Sequence, residues 1–193
     1  MSERPPGAPI VETVTTTINP DGTVNCAAMG VEWGDEIIVI KPYRSTRTLR
    51  NLRMTGAAVI NITDDILLFA QAALGDPQPP TRPTEAIDGA VLADGCSWRE
   101  VAVEAIDVSG PRARVTTRVV GHGVAREFVG FNRARHAVLE ASIIASRVRW
   151  LPAEEIRAEL ERLQVLVDKT AGPREREAME LVRRHVSAAV GSG

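Results

Sequence analysis

Lys41-Pro42-Tyr43-Arg44-Ser45-Thr46-Arg47-Thr48-Leu49-Arg50-Asn51-Leu52 is the stretch on which the fold turns. Just before it, residues 36–40 are strongly β-branched, and Pro42 ends that run as a strand. After it the apolar period changes. Leu49, Leu52 and Met54 make a narrow stripe, and Ser45 or Thr46 can cap its start, so a short helix is predicted over 45–55. Where a strand runs into a helix start, unpaired backbone N–H groups and the positive end of the helix dipole meet, and together they attract an anion. Ser45, Thr46 and Thr48 add hydroxyl donors, and Arg44 or Arg47 adds a planar fork that suits phosphate. The residues alone leave a second reading open, a solvated basic helix with a Ser/Thr cap.

This stretch is also where the charge is uneven. Residues 37–63 hold five basic side chains (Lys41, Arg44, Arg47, Arg50, Arg53) and no acid, in a chain whose net charge is -2. Five charges spaced by about three residues cannot converge on one ligand, because three helical steps turn the side chain through about 300°. One or two arginines near the helix start can face an anion, and Arg50 and Arg53 are left for solvent or for acids elsewhere.

Upstream, residues 10–18 are rich in β-branched side chains. Asn19-Pro20-Asp21-Gly22 is a turn cluster, and an extended pattern resumes from Thr23, so a β-hairpin is predicted. Its second strand carries Asn25-Cys26-Ala27-Ala28-Met29-Gly30. Small residues there let a flat ligand approach the backbone closely, but a bulge at Gly30 is the simpler account of the glycine and needs no ligand. Downstream, residues 57–62 read as a buried strand. A helix over 65–74 is capped by Thr63 or Asp64 and closed by Gly75. A loop with four prolines follows over 76–83, then strands over 89–93, 98–108 and 112–120, broken by Gly121 and Gly123. From Asn132 the pattern is helical to the C-terminus. One long helix has a wide apolar band, and a helical hairpin begins near Pro152 and turns at Gly172-Pro173.

Composition limits the function classes. With 193 residues, 44% apolar and 25% charged, the chain is of globular type. A mildly acidic whole does not suit a nucleic-acid binder, and the single aromatic of the basic stretch, Tyr43, is a poor platform for stacking bases. No apolar run is long enough to span a membrane. Residues 1–9 are polar and Pro-rich, read as a flexible lead-in without a secretory signal. Two cysteines, Cys26 and Cys96, fit a reducing cytoplasm. His122, His136 and His185 lack metal spacing, so no metal site is predicted. There is no nucleophile elbow, Walker loop or dinucleotide fingerprint. No catalytic acid or base can be named.

Several motifs in fixed order carry a resemblance: Ile10-Val11-Glu12-Thr13, Asn19-Pro20-Asp21-Gly22-Thr23-Val24-Asn25, Ala28-Met29-Gly30, Thr46-Arg47-Thr48-Leu49-Arg50-Asn51-Leu52, Asn61-Ile62-Thr63-Asp64-Asp65 and Phe131-Asn132-Arg133-Ala134. From about Ile10 to the C-terminus the chain resembles a prokaryotic family catalogued as a domain of unknown function, related to the flavin reductases, whose members look like FMN-binding split barrels. The resemblance implies an α+β, mainly β fold: a six-stranded antiparallel Greek-key split barrel with C-terminal helices, usually a homodimer with FMN near the subunit interface. It implies that Asn25, Ala27, Ala28, Met29 and Gly30 lie along the isoalloxazine ring. It also implies that Tyr43, Arg44, Ser45, Thr46, Thr48 and Asn51 hold the phosphate. For Asn132 and Arg133 it leaves two roles open, reaching the cofactor or capping the long helix and pairing with acids. Where many relatives have Pro before the Met-Gly pair, this chain has Ala28.

The expected organisation is therefore a lead-in (1–9), an FMN-binding barrel with its packing helix (10–150) and a helical hairpin (151–193). The expected function is that of a cytoplasmic FMN-dependent oxidoreductase working on a small-molecule electron donor and acceptor. The alternatives are a carrier or sensor that binds FMN or another phospholigand without turnover, and a scaffold whose hairpin binds proteins.

Overall fold

The computed structural model describes residues 8–190, so most of the expected lead-in, residues 1–7, lies outside the described residues. The chain forms two compact units, one from residues up to 63 together with 78–127, the other from 64–77 together with 128 onward. In the first unit, β1 (Ile10–Ile18), β2 (Val24–Glu32), β3 (Ile37–Ile40), β4 (Ala57–Ile62), β7 (Ser97–Asp107) and β8 (Arg114–Val124) close a barrel in the order β1-β2-β3-β8-β7-β4. Every neighbouring pair is antiparallel. Closure leaves this sheet without a terminal strand that a stray chain could extend. The six-stranded barrel is the architecture expected from the sequence.

The pleat sorts side chains to the two faces of the barrel wall. Met29, Val31, Ile38, Ile40, Ala58, Ile60, Val101, Ala113 and Val115 point inward and form the core with Leu49 and Leu52 of α1 (Arg47–Thr55). Helix α1 thus closes one end of the barrel. Thr46 caps its start and Gly56, at φ 67°, takes the left-handed turn that ends it and leads straight into β4. The outer face of β1, β4 and β7 is covered by a two-stranded hairpin, β5 (Thr81–Pro83) with β6 (Ala90–Leu92). The proline-rich loop expected here ends in a short strand, because Thr81, Arg82 and Pro83 pair with Leu92, Val91 and Ala90. Buried Asn61 ties this hairpin down: its amide donates to the Val14 carbonyl and Thr16 hydroxyl, and its oxygen accepts from Leu92 N.

Three local expectations need correction. Strand β8 does not break at Gly121 and Gly123. It runs through them, because the facing side chains of Glu100 and Trp98 fill the space a Cβ would need. Gly30 makes no bulge; β1 and β2 pair in unbroken register, with Gly30 opposite Glu12. The cap of α2 (Ile66–Leu74) is Asp65, which accepts from Leu67 N and Leu68 N, rather than Thr63 or Asp64. At the start of the described chain, Ala8 is buried and the Pro9 carbonyl accepts from Trp33 N at 2.9 Å, which extends the β1–β2 ladder.

The second unit gathers α2 with α3 (Arg133–Ala145), α4 (Ala153–Thr170) and α5 (Pro173–Val190). The sequence grouped the long helix α3 with the barrel, but it packs against α2, α4 and α5. The stripes of the hairpin (Ile156, Leu160, Leu163 and Val167 on α4; Ala178, Met179, Val182 and Val186 on α5) are buried within this four-helix unit. Arg135 ties it electrostatically, donating to Glu175 at 2.9 Å and to Asp64 at 3.4 Å, and Arg174 pairs with Asp65.

Trp98 is held by Arg82, 4.1 Å over its ring, and by its Nε1 donation to Glu100. A Cβ at Gly123 would sit 2.2 Å from that ring, so Gly123→Ala is expected to lower stability by about 1–3 kcal/mol in urea unfolding. Burial pushes the Glu100 carboxyl up, but donation from Ala86 N, Glu85 N and Trp98 outweighs it and holds the group below the usual 4.5. That stabilisation is present above the unfolded value and lost as pH falls through the lowered folded value. Glu100→Gln is therefore expected to flatten the fall of stability with acid below about pH 4.5, measured by urea unfolding at stepped pH.

Candidate functional site

The barrel is closed unevenly. Strand β2 pairs with β1 along its whole length, but with β3 only through Val31↔Ile40 and Glu32↔Val39. Among the described residues no strand covers the other edge of β2 from Asn25 to Gly30. Backbone N–H and C=O groups on such an edge need partners, and a flat molecule carrying amide-like groups along one side can supply them. Just ahead of this edge, the Val24 carbonyl is taken by the Gln78 amide at 3.2 Å.

At its start this edge meets α1. Asn25 Nδ2 donates to Thr48 Oγ1 in the first turn of the helix, at 3.2 Å, and to Thr17 Oγ1 at 3.1 Å. Asn51 Nδ2 donates to Thr17 Oγ1 and to Asn19 Oδ1. The helix is therefore fastened to the β1–β2 hairpin by a buried polar network as well as by Leu49 and Leu52. Asn51 is fully buried, and its Oδ1 has no partner among the described residues.

The connection from β3 into α1 makes a tight turn. Thr46 N and Thr46 Oγ1 both donate to the Tyr43 carbonyl, at 3.1 and 2.8 Å, and Thr46 Oγ1 accepts from Leu49 N. At the apex, Arg44 and Ser45 are exposed, and neither side chain bonds another described residue. No acid lies in the first turn of α1. Helix start, guanidinium and hydroxyl together form a donor set suited to a phosphate. The nearby Asp21 carboxyl is lowered chiefly by donation from Thr23, with Arg47 adding a smaller electrostatic part.

The structure sorts the residues that the sequence grouped. Period two divides the β2 stretch. Asn25, Ala27 and Met29 lie opposite Thr17, Thr15 and Thr13 and face inward with the core, whereas Ala28 and Gly30 lie opposite Val14 and Glu12 and face outward. The space over Gly30 is occupied by Ile10 and Glu12 side chains. Thr48 and Asn51 belong to the buried network, while Tyr43, Arg44 and Ser45 are exposed and Thr46 half-buried. Asn132 caps α3 by accepting from Arg135 N, and its amide donates to the Thr170 carbonyl. Arg133 is exposed at the start of α3. Sequence reasoning missed Arg112, whose guanidinium lies 4.2 Å over the Tyr43 ring. The two are too far apart in the chain for spacing to relate them.

A closed antiparallel barrel of this order, with a helix sealing one end beside an incompletely paired strand, is the split barrel of the flavin-reductase-like proteins. The chain belongs to the family described as proteins of unknown function (DUF447): the model of that family's N-terminal domain matches residues 11–126, and a second model of the family matches 132–184. Among solved structures it is similar to the FMN-bound DUF447 protein MM1853 from Methanosarcina mazei. The two are 21% identical, with 91% of this chain and 94% of that one aligned and a TM-score of 0.80. It is also similar to the 2-nitrobenzoate 2-nitroreductase NbaA of Pseudomonas fluorescens, at 17% identity over 62% of this chain and 66% of that one, TM-score 0.51. A third is nitrilotriacetate monooxygenase component B from Bacillus cereus, at 19% identity over 66% and 77%, TM-score 0.52.

Removing the amide that bridges Thr17 and Asn19 takes one donor from the buried Thr17 hydroxyl and one from the half-buried Asn19 side-chain carbonyl. Asn51→Ala is expected to cost about 2 kcal/mol, read as a lower midpoint of urea unfolding.

Proposed function

We propose that this chain is an FMN-binding flavoprotein that acts as a flavin-reductase-like oxidoreductase. In this reading it works in the cytoplasm as a homodimer and passes electrons between a small-molecule donor and acceptor. The observation that carries the reading is the open edge of β2 starting beside the basic, hydroxyl-rich turn into α1. That pairing offers backbone groups for a flat heterocycle at one place and donors for a phosphate next to it. The likeness to an FMN-bound protein over nearly the whole chain supports it. Cys26 and Cys96 are both buried and form no disulfide, and among the described residues no helix is long and apolar enough to cross a membrane.

When bound, FMN supplies the redox chemistry, and the protein supplies binding, orientation and electrostatics. Arg44, Ser45 and Thr46 would hold the phosphate, assisted by the N-terminus of α1. The backbone edge from Asn25 to Gly30 would face the ring system, with the small Ala28 side chain adding little bulk beside it; over Gly30 the outer face is taken by Ile10 and Glu12. Asn25, Thr48 and Asn51 act indirectly, by fixing the helix against the strand.

A purified protein with a flavin spectrum, or one that quenches FMN fluorescence on titration, is the expected result; a colourless protein that leaves FMN fluorescence untouched overturns the reading. Arg44→Ala with Thr46→Ala is expected to weaken FMN about tenfold or more while changing riboflavin little. Bleaching of bound FMN by NADH or NADPH, followed by reoxidation, separates an oxidoreductase from a carrier.

A further inference from the structure

We propose that Arg112 is a positioning residue for the phosphate end of this site, acting through Tyr43; the proposal rests on the FMN reading above. Arg112 stands two residues ahead of β8 and reaches the turn into α1 in several ways. Tyr43 and Arg112 form a backbone bridge, and the next residue, Ala113, donates its N–H to the Pro42 carbonyl at 3.0 Å. The guanidinium stacks 4.2 Å over the Tyr43 ring, and Nη2 donates to the Tyr43 hydroxyl at 2.6 Å.

Tyr43 is half exposed and has little packing of its own to hold it. Yet its carbonyl is the acceptor for both Thr46 N and Thr46 Oγ1, the two bonds that shape the turn and direct Thr46 Oγ1 to its capping role. A planar cation fixed to both the face and the hydroxyl of a ring restrains it in a way that a lysine, with a point charge on a flexible stem, does not. Arg112 thereby holds the turn whose apex presents Arg44 and Ser45. Its charge also adds to the positive field there, so the site favours a phosphate monoester over the same heterocycle with an uncharged tail.

The test is titration of the full-length protein with FMN and with riboflavin, followed by flavin fluorescence, for wild type, Arg112→Ala, Arg112→Lys, Tyr43→Ala and the Arg112→Ala/Tyr43→Ala pair. Arg112→Ala is expected to weaken FMN about tenfold and to leave riboflavin within about twofold. Arg112→Lys, which keeps the charge, is expected to recover part of the loss. The double variant is expected to be no weaker than the worse single variant, since both act through one element. Arg53→Ala, at the far end of α1, serves as the charge control and is expected to match wild type. Unchanged FMN affinity in Arg112→Ala, an equal loss for riboflavin, or losses that add in the double variant would each overturn the proposal. If Arg112→Ala does not fold, Arg112→Lys decides: FMN weakened with riboflavin unchanged supports the role, and no change in either overturns it. Wild type that fails to quench FMN overturns the flavin reading itself, and this proposal with it. That outcome is distinct from wild type that binds FMN and an Arg112 variant that binds it equally well.

Discussion

The attachment of α1 to the first hairpin is the constraint on which this end of the molecule depends. Leu49 and Leu52 seal the barrel and are almost wholly removed from water, which supplies most of the stabilisation. Apolar packing alone does not set how far a helix is rotated about its axis. The hydrogen bonds from Asn25 to Thr48 and from Asn51 to Thr17 and Asn19 do, because each has a single acceptor at a definite place. Buried amides cost free energy unless they are paired, and the donors of this network reach their acceptors only with the helix seated one way. The same seating puts the start of α1 beside the uncovered edge of β2. Stability and site geometry share one set of residues.

The second unit uses charge in a comparable way. Arg135 joins the start of α3 to Asp64, ahead of α2, and to Glu175 in the first turn of α5. Burial pushes the Glu175 carboxyl up, but donation from Arg135 and from backbone N–H groups outweighs it and keeps the group lowered and ionised. The motifs around Asp64-Asp65 and Asn132, which stood out in the sequence, belong to this arrangement. Their side chains cap helices and pair with arginines across the bundle.

Much of the first unit was legible because its signals are local. The β-branched run over 10–18, the buried strand over 57–62, the Asn-Pro-Asp-Gly turn and a helix start capped by Ser45 or Thr46 each rest on signals within a few residues, and each element appears where it was expected, with Thr46 as the cap. Errors arose where a distant partner decided the outcome. Gly121 and Gly123 read as breakers, but they are where Glu100 and Trp98 cross from β7. The prolines over 77–83 read as a loop, but Thr81–Pro83 finds a partner in β6. Thr48 was chosen for its hydroxyl, Asn25 as part of a stretch of small residues and Asn51 through the family resemblance; whether such a group meets a ligand or another side chain depends on burial, which spacing does not report.

The sequence by itself determined the succession of strands and helices, the basic strand-to-helix turn at 41–52 and, through its motifs, the family. These follow from backbone preference and residue order, which act at short range. Only the tertiary structure decided that α3 belongs with the C-terminal helices, that β2 has an edge without a partner strand, and that Arg112 reaches Tyr43 across 69 residues of chain. Those outcomes depend on which faces meet once the barrel closes, and closure brings together residues whose separation along the chain carries no trace of their contact.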